Sequence, residues 1–320
     1  MRVLITGAGG FLGSHLAEAH LLRGHEVIGL DNFCTGSPRN FEFLSQMKPG
    51  AFFGYHFDVC ESWSSQQSVW GVVDRIYHFA SPASPPLYQK LALETLRVNS
   101  LGTWNALEFA YQCGARVIFA STSEIYGDPM VHPQTETYWG NVNTLGPRSC
   151  YDESKRFGES LIVNFNQKKQ TQNGFVRIFN TYGPRMNPLD GRVVVQLLLQ
   201  ALKGEDLSVY GDGLQTRSFC YVSDLVEGII TYADRGISEP VNLGNDLEFS
   251  ILELVEKLAK LFGGKNLRVR HLPLPADDPK QRRPDLSKAK KLLHPWNPKI
   301  QLEDGLRLMK EALEKSEFRE

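Results

Sequence analysis

The residues best suited to proton chemistry are Tyr151 and Lys155, which are spaced Y-x-x-x-K. On a helix, a four-residue step places both side chains on one face. An ammonium group beside a phenol lowers the phenol's pKa, so the phenol can act as a base near neutral pH. The same spacing is common on solvated helix faces, which is the alternative interpretation while the pair is considered alone.

A second group of polar residues follows a strand-like run at its carboxyl end. Ser121, Thr122, Ser123 and Glu124 come directly after the apolar stretch that begins at Arg116. In open α/β sheets, ligands bind in the crevice outside the carboxyl ends of the strands. The position of these side chains therefore makes the Y-x-x-x-K pair a more specific indication of a reactive site.

A glycine-rich turn near the N-terminus predicts a cofactor site. Gly7, Gly10 and Gly13 stand in GAGGFLG, between a predicted strand and its helix. Without Cβ atoms, such a turn lets a pyrophosphate approach the helix N-terminus. The spacing is G-x-x-G-x-x-G and not G-x-G-x-x-G, and a purely structural turn is the alternative.

Two acidic residues strengthen the cofactor interpretation. Asp31 ends the second predicted strand, where a carboxylate can accept hydrogen bonds from an adenosine ribose. Because it would repel a 2′-phosphate, it favours NAD over NADP. Asp58, in FDV after a third strand, is placed to reach the adenine, although an ordinary loop carboxylate is an equal alternative.

These residues need a sheet that brings the strand ends together. Strand-like and helical patterns alternate, and they predict strands at 2–6, 26–30, 75–80, 116–121 and 175–180 and helices at 11–23, 93–113 and 151–167. Such alternation indicates the α/β class, a Rossmann-type doubly wound parallel sheet. The pattern loosens after residue 180, which predicts a smaller C-terminal substrate-binding lobe. We expect an NAD-binding domain at 1–178, completed by about 216–246, and a substrate-binding lobe at 179–215 and 247–320.

Composition excludes several classes of function. The formal net charge is −1, so no field of one sign favours nucleic acid or an anionic membrane. The five cysteines have no C-x-x-C spacing, which argues against a disulfide framework and against a zinc site, so no metal is expected. With no long apolar run and no signal peptide, we expect a cytoplasmic protein.

Together these motifs resemble the extended short-chain dehydrogenases/reductases, over nearly the full chain. Within that family the sequence is most similar to the UDP-glucuronate decarboxylases. STSEIYG (121–127) and GPRSCYDESKR (146–156) carry this resemblance most specifically. Other shared segments are FASPASPP (79–86), RIFNTYGPRM (177–186), DGRVV (190–194), VYGDG (209–213), QTRSFCYVSDLV (215–226), VNLGN (241–245) and RRPD (282–285).

The resemblance implies an enzyme with tightly bound NAD that converts UDP-glucuronate to UDP-xylose and CO2. Tyr151 would take the proton of the sugar's C4 hydroxyl, with Thr122 sharing that hydrogen bond, while the C4 hydride passes to NAD⁺. The resulting 4-keto uronic acid is a β-keto acid, so CO2 leaves without a metal. Return of the hydride to C4 regenerates NAD⁺.

Ser123, Glu124 and Arg282 are expected to determine the substrate. Dehydratases of the family carry Asp-Glu where this chain has Ser123 and Glu124, so the acid that protonates a leaving hydroxyl is missing. Glu124 would protonate C5 or orient the carboxylate. Arg282 or Arg283 would meet the sugar carboxylate, and a basic surface loop is the alternative for both.

The resemblance also implies further contacts. The residues expected around NAD are Gly7, Gly10, Phe11, Leu12, Gly13, Asp31, Asn32, Phe33, Thr35, Gly36, Asp58, Val59, Phe79, Ser81, Ala120, Tyr151 and Lys155. Those expected around the nucleotide-sugar are Pro85, Tyr88, Arg97, Asn180, Arg192, Tyr210, Arg217 and Arg282. Among the last group, Arg192 and Arg217 are the candidates for the diphosphate.

Some expectations come from the family alone, and others stay open. A homodimer would form through a four-helix bundle of helices 93–113 and 151–167. The chain departs from the family in reading YDESK and not YDEGK, and in lacking Asn-Pro within 87–96. A 4-epimerase or 4,6-dehydratase is the alternative activity. An inactive NAD-binding regulatory protein is the alternative from another class.

Overall fold

A computed structural model describes residues 1–264 and 267–317. The strands are β1 (Arg2–Thr6), β2 (Glu26–Asp31), β3 (Phe52–His56), β4 (Arg75–His78), β5 (Arg116–Thr122), β6 (Gly174–Ile178), β7 (Thr181–Tyr182), β8 (Leu207–Tyr210), β9 (Thr216–Ser218), β10 (Cys220–Tyr221), β11 (Val241–Leu243), β12 (Glu248–Ser250), β13 (Val269–Leu272) and β14 (Gln281–Arg282). The α-helices are α1 (Phe11–Leu22), α2 (Pro38–Met47), α3 (Gln67–Trp70), α4 (Pro85–Lys90), α5 (Ala92–Arg97), α6 (Thr103–Cys113), α7 (Ser149–Lys169), α8 (Val193–Lys203), α9 (Val222–Asp234), α10 (Ile251–Leu261), α11 (Ser287–Leu292) and α12 (Leu302–Glu317).

Seven strands form one parallel sheet in the order β11-β6-β5-β4-β1-β2-β3. Side chains alternate between its two faces, as the strand geometry requires. Val3 and Ile5 pack in one apolar cluster with Leu16 of α1, whereas Leu4 belongs to a second cluster with Leu107 of α6. Helices therefore cover both faces, and the predicted Rossmann-type doubly wound fold is confirmed.

The remaining strands build the smaller lobe beside this sheet. β9 lies between β12 and β14, and β8 pairs with β13. α8 packs on β8, and α10 packs on both β8 and α12. Within the described residues, no helix is both long and apolar enough to cross a membrane.

Several predicted elements differ from the structure, and one of them is β6, which ends at Ile178 and not at residue 180. β4 ends at His78, two residues earlier than predicted, because the amides of Phe79 and Ala80 donate to the Thr6 hydroxyl, both at 3.1 Å. The predicted helix 93–113 is α5 and α6 joined by a π-helical turn at Val98–Gly102. Such turns often occur at functional sites.

The π-helical turn brings Asn99 to the edge of the site. Its amide donates to the hydroxyls of Ser81, at 3.0 Å, and Ser154, at 3.1 Å. Asn99 thereby links the loop after β4 to the first turns of α7. The wider turn is thus part of what positions α7 and its Y-x-x-x-K pair.

Candidate active site

One large cavity, of about 1170 Å³, lies at the carboxyl ends of the central strands. Typical small-molecule pockets measure roughly 300–1,000 Å³, so this one has room for two nucleotide-sized ligands. All the site residues expected from the sequence line it, except Phe33 and Tyr88. The sheet therefore brings together in one place residues that are far apart in the chain.

The glycine-rich turn forms one wall of the cavity. Gly7 has a φ of 72°, in the left-handed region that favours glycine. A Cβ on Gly13 would overlap the backbone of Gly7, including its carbonyl oxygen. The Gly10 amide donates to the Gly7 oxygen at 2.9 Å, and α1 starts at the next residue. The turn thus leaves an open approach to a helix N-terminus, where a pyrophosphate binds well.

Asp31 links this turn to the loop after β2 through hydrogen bonds. Its two carboxylate oxygens accept from the amides of Gly9, at 2.8 Å, and Phe33, at 2.7 Å. Burial raises the pKa of Asp31, and the two amides partly offset that rise. A Cβ on Gly36 would lie 2.9 Å from both oxygens, so this wall is closely fitted around the carboxylate. Each oxygen has a second lone pair for a ribose hydroxyl, and the cradle therefore fits NAD.

Phe33 does not line the cavity, so its expected contact with NAD stays a prediction. Its ring packs edge-on against Phe41 at 5.0 Å and stacks on His56 at 5.7 Å. A φ of 56° at Phe33 lets its amide reach Asp31 while its side chain faces the neighbouring aromatic residues. Its contribution to this wall is therefore its backbone amide.

Tyr151 and Lys155 are both buried at the floor of the cavity, in the first two turns of α7. The Lys155 ammonium donates to the Ala120 carbonyl at 2.8 Å and lies 5.7 Å from the centre of the Tyr151 ring. Burial lowers the pKa of Lys155 to about 7. The pair is thus oriented by the end of β5.

The expected lowering of the Tyr151 pKa by Lys155 is wrong for this structure. Burial raises the pKa of Tyr151, the negative charge of Glu124 raises it further, and a hydrogen bond with Thr122 only partly compensates. The Lys155 ammonium is directed at the Ala120 oxygen and not at the phenol oxygen. In the protein alone Tyr151 is therefore a neutral phenol, and the positive charge of a bound nicotinamide ring would be needed for it to act as a base.

Tyr88 packs against Tyr151 and does not line the cavity, so its expected contact with the substrate stays a prediction. Its side chain is fully buried, and its ring stacks on that of Tyr151 with centroids 4.9 Å apart and planes 1° from parallel. Its hydroxyl donates to Glu124 Oε2 at 3.3 Å. Tyr88 therefore helps to position two candidate catalytic residues, because its ring packs on Tyr151 and its hydroxyl donates to Glu124.

Glu124 is held between two arginines. Arg148 Nη2 donates to Oε2 at 2.6 Å, and Arg282 Nη1 lies 3.5 Å from Oε1. Burial alone would raise the pKa of Glu124, but these two cations hold it below its usual range. Arg283 instead pairs with Glu248 at 3.7 Å, so Arg282 is the arginine that faces the cavity.

The candidate phosphate-binding groups Arg217, Arg192 and Asn180 also line the cavity. Arg217 pairs with Asp278 at 2.8 Å, and Arg192 Nε donates to Asp190 at 2.7 Å. The amide nitrogen of Asn180 is buried and has no partner among the described residues. An unpaired buried donor is costly, and a ligand oxygen would satisfy it.

Sequence reasoning missed Arg148, Asp152 and Asp278. Arg148 contacts both Glu124 and Asp278, and Asp152 lies beside Glu124. Arg148 stands in the quoted segment GPRSCYDESKR, which was the available signal. Its two partners come from distant parts of the chain, which spacing alone does not reveal.

Comparison with known proteins agrees with this site. The model of the NAD dependent epimerase/dehydratase family matches residues 3–244. UDP-glucuronic acid decarboxylase 1 of Danio rerio is 48% identical over 305 residues, which cover 95% of this chain and 71% of the relative. UDP-glucuronic acid decarboxylase 6 of Arabidopsis thaliana is 46% identical over 312 residues, covering 97% and 88%.

Solved structures are similar over the whole chain. UDP-glucuronic acid 4-epimerase of Bacillus cereus, in complex with UDP-glucuronic acid and NAD, has a TM-score of 0.86 and 28% identity, covering 99% of this chain and 100% of that one. A dTDP-glucose 4,6-dehydratase of Streptomyces venezuelae has a TM-score of 0.89 and 26% identity, covering 100% and 98%. The chain therefore belongs to the NAD dependent epimerase/dehydratase family and, within it, to the group of the UDP-glucuronic acid decarboxylases.

Proposed function

We propose that the protein is a carboxy-lyase that converts UDP-glucuronate to UDP-xylose and CO2, with NAD⁺ regenerated in each cycle. The observation that carries this proposal is Arg282, a buried arginine that faces the cavity next to Glu124. A guanidinium there suits the sugar carboxylate. The decarboxylase relatives support the same substrate.

We assign the proton chemistry at C4 to Tyr151 and Thr122. Tyr151 Oη would take the proton of the C4 hydroxyl, and the Thr122 hydroxyl would hold that oxygen in line. The chemistry that NAD supplies when bound is hydride acceptance and hydride return at C4. The glycine turn and Asp31 would hold its adenosine end, and the positive charge of Lys155 would lie near its nicotinamide ribose.

Loss of CO2 then follows from the substrate's own chemistry. A ketone at C4 is β to the carboxylate and accepts the electron pair of the breaking bond. Ser123 occupies the position where dehydratases carry an acid, so this chain lacks the group that would expel water. The proposed contacts to the diphosphate are Arg192, Arg217 and Asn180, and Tyr210 would line the uridine pocket.

The direct test is incubation with UDP-glucuronate, followed by measurement of CO2 and UDP-xylose. Formation of UDP-galacturonate would instead indicate an epimerase, and turnover of dTDP-glucose alone a dehydratase. Bound NAD without any turnover would indicate the regulatory protein. Tyr151→Phe should retain NAD but lose about 10²-fold or more in turnover, because it removes the base.

We propose that the protein is a homodimer formed through α5, α6 and α7. These helices and the π-helical turn between α5 and α6 expose seven large apolar side chains, namely Leu93, Leu96, Leu101, Trp104, Tyr111, Phe157 and Val163. Contiguous apolar patches of this kind mark interaction surfaces. Sedimentation should show a dimer that Trp104→Glu converts to monomer and that Leu247→Glu, an exposed leucine elsewhere, leaves intact. A monomeric wild type would refute the proposal.

We also propose a division into two functional parts. Residues 1–178 with about 216–246 would bind NAD, and 179–215 with 247–320 would bind the nucleotide-sugar. Pairing of β11 with β6 and packing of α9 on α1 support it. We place the protein in the cytoplasm, since its five cysteines all have free thiols.

A further inference from the structure

Asp152 is a buried carboxyl group that the reaction as described above does not use. It follows Tyr151 in the first turn of α7 and is 5% exposed. Its side chain faces that of Glu124, close enough for a hydrogen bond between the two carboxyl groups. Its Oδ1 atom has no donor among the described residues. Two carboxylates cannot hydrogen-bond unless one of them carries a proton.

The charges around the pair determine which carboxyl group holds that proton. Arg148 and Arg282 both contact Glu124, and the Tyr88 hydroxyl donates to it as well. Asp152 receives no comparable direct contact from either arginine. Burial, followed by the negative charge of Glu124, raises the pKa of Asp152 to about 8. The contacts of both arginines with Glu124 therefore assign the proton of the pair to Asp152.

The proposed reaction needs one proton that Tyr151 does not supply. Replacement of a carboxylate by hydrogen at C5 consumes one proton overall. The proton that Tyr151 takes from the C4 hydroxyl returns to that oxygen when C4 is reduced. A separate donor must therefore serve C5, and Glu124, which lines the cavity, is kept ionised by its arginines.

We propose that Asp152 holds the proton that C5 receives after CO2 has left, and that Glu124 relays it. This inference rests on the proposed decarboxylation. As the C5–C6 bond breaks, its electron pair forms a C4–C5 enolate. Asp152 passes its proton to the Glu124 carboxylate, and Glu124 delivers that proton to C5 of the enolate, which returns Glu124 to its ionised form and leaves Asp152 ionised. Solvent then reprotonates Asp152, so one solvent proton ends in the new C5–H bond.

The test compares D152N with E153Q, a neighbouring carboxylate change. Glu153 is partly exposed and pairs with Arg156 at 3.7 Å. D152N preserves the shape of the side chain but removes its acidic proton. We expect its turnover to fall by about 10²-fold. The absorbance of the reduced cofactor should build up, because the enolate cannot be reduced at C4 until C5 is protonated. E153Q should behave as wild type.

Two further readouts separate proton supply from a structural role. Wild-type turnover should fall as pH rises through the pKa of the pair, and D152N should lack this limb. Infrared spectra of the protein without substrate should show a protonated carboxyl band at pH 7 that E153Q keeps and D152N loses. If D152N does not fold, the wild-type band must still disappear as pH rises through about 8.

The outcomes distinguish this inference from the proposed function. Wild-type protein that makes no UDP-xylose overturns the decarboxylation itself. If the wild-type protein makes UDP-xylose and D152N does so at the same rate and with the same pH profile, only the role of Asp152 is overturned. The same holds if no protonated carboxyl band is present at pH 7.

Discussion

Replacement of Arg148 by methionine tests the electrostatic core of the site. Arg148 Nη2 donates to Glu124 at 2.6 Å, and its Nη1 lies 3.6 Å from Asp278. All three side chains have little contact with solvent, at 8%, 10% and 23% exposure. Methionine keeps much of the length and apolar volume while removing the charge, so the change isolates the ion pairs.

The expected loss in the free energy of unfolding depends on the contacts that Glu124 keeps in the R148M variant. Removal of one partner of a buried ion pair typically destabilises a protein by about 3–5 kcal/mol, because the other charge stays buried and uncompensated. Arg282, at 3.5 Å, and Tyr88, at 3.3 Å, still contact Glu124. We therefore expect the lower end of this range, about 3 kcal/mol, which corresponds to a fall of roughly 4–5 °C in Tm for a chain of 320 residues.

Urea unfolding at pH 7 measures this cost, and a double-mutant cycle identifies its origin. In R148M/E124Q the buried carboxylate is gone, so the loss should be smaller than the sum of the two single losses by about 1–3 kcal/mol. R307M, on an exposed arginine of α12, is the control and should change stability by at most about 0.5 kcal/mol. Additive losses in the double variant would refute the argument that Arg148 compensates Glu124.

Three further predictions concern separate parts of the site. Gly13→Ala should reduce the NAD content of purified protein, because the new Cβ would overlap the backbone of the turn, and cofactor release on denaturation measures this. Arg282→Met should raise KM for UDP-glucuronate by about tenfold or more, the equivalent of one charged hydrogen bond, whereas Arg283→Met should leave it nearly unchanged. The pKa of Asp152 rises from 3.8 to about 8 on folding, so its stabilising effect is complete below pH 4 and lost as pH approaches 8. Unfolding measured against D152N should show this decline, and the opposite slope would contradict it.

Much of the fold could be predicted because it depends on local patterns. The apolar run Arg2–Thr6, the glycines after it and the four-residue step from Tyr151 to Lys155 each act within a single element. The π-helical turn at Val98–Gly102 could not be predicted in this way, because its cause is tertiary. Asn99 there bonds to Ser81 and Ser154 on two other segments.

The partners of Glu124 could not be predicted from the sequence, because these contacts too are tertiary. Arg148 and Arg282 come from segments that meet only when the smaller lobe folds against the sheet. The expected lowering of the Tyr151 pKa also failed for a reason that spacing does not reveal. Lys155 is only four residues from Tyr151 in the sequence, yet burial and the negative charge of Glu124 raise the pKa of the Tyr151 phenol.

The protonation of Asp152 also bears on how a nearly neutral chain binds a strongly anionic substrate. Arg148, Arg217 and Arg282 form a buried network with the carboxylates Glu124 and Asp278. With Asp152 protonated, these groups carry one net positive charge at the site, and ionisation of Asp152 would cancel it. A diphosphate and a sugar carboxylate gain most from cations that are already buried and oriented. The proton on Asp152 would therefore serve two purposes. It would keep the net charge of the site positive while the anionic substrate binds, and it would become the hydrogen that replaces the carboxylate at C5.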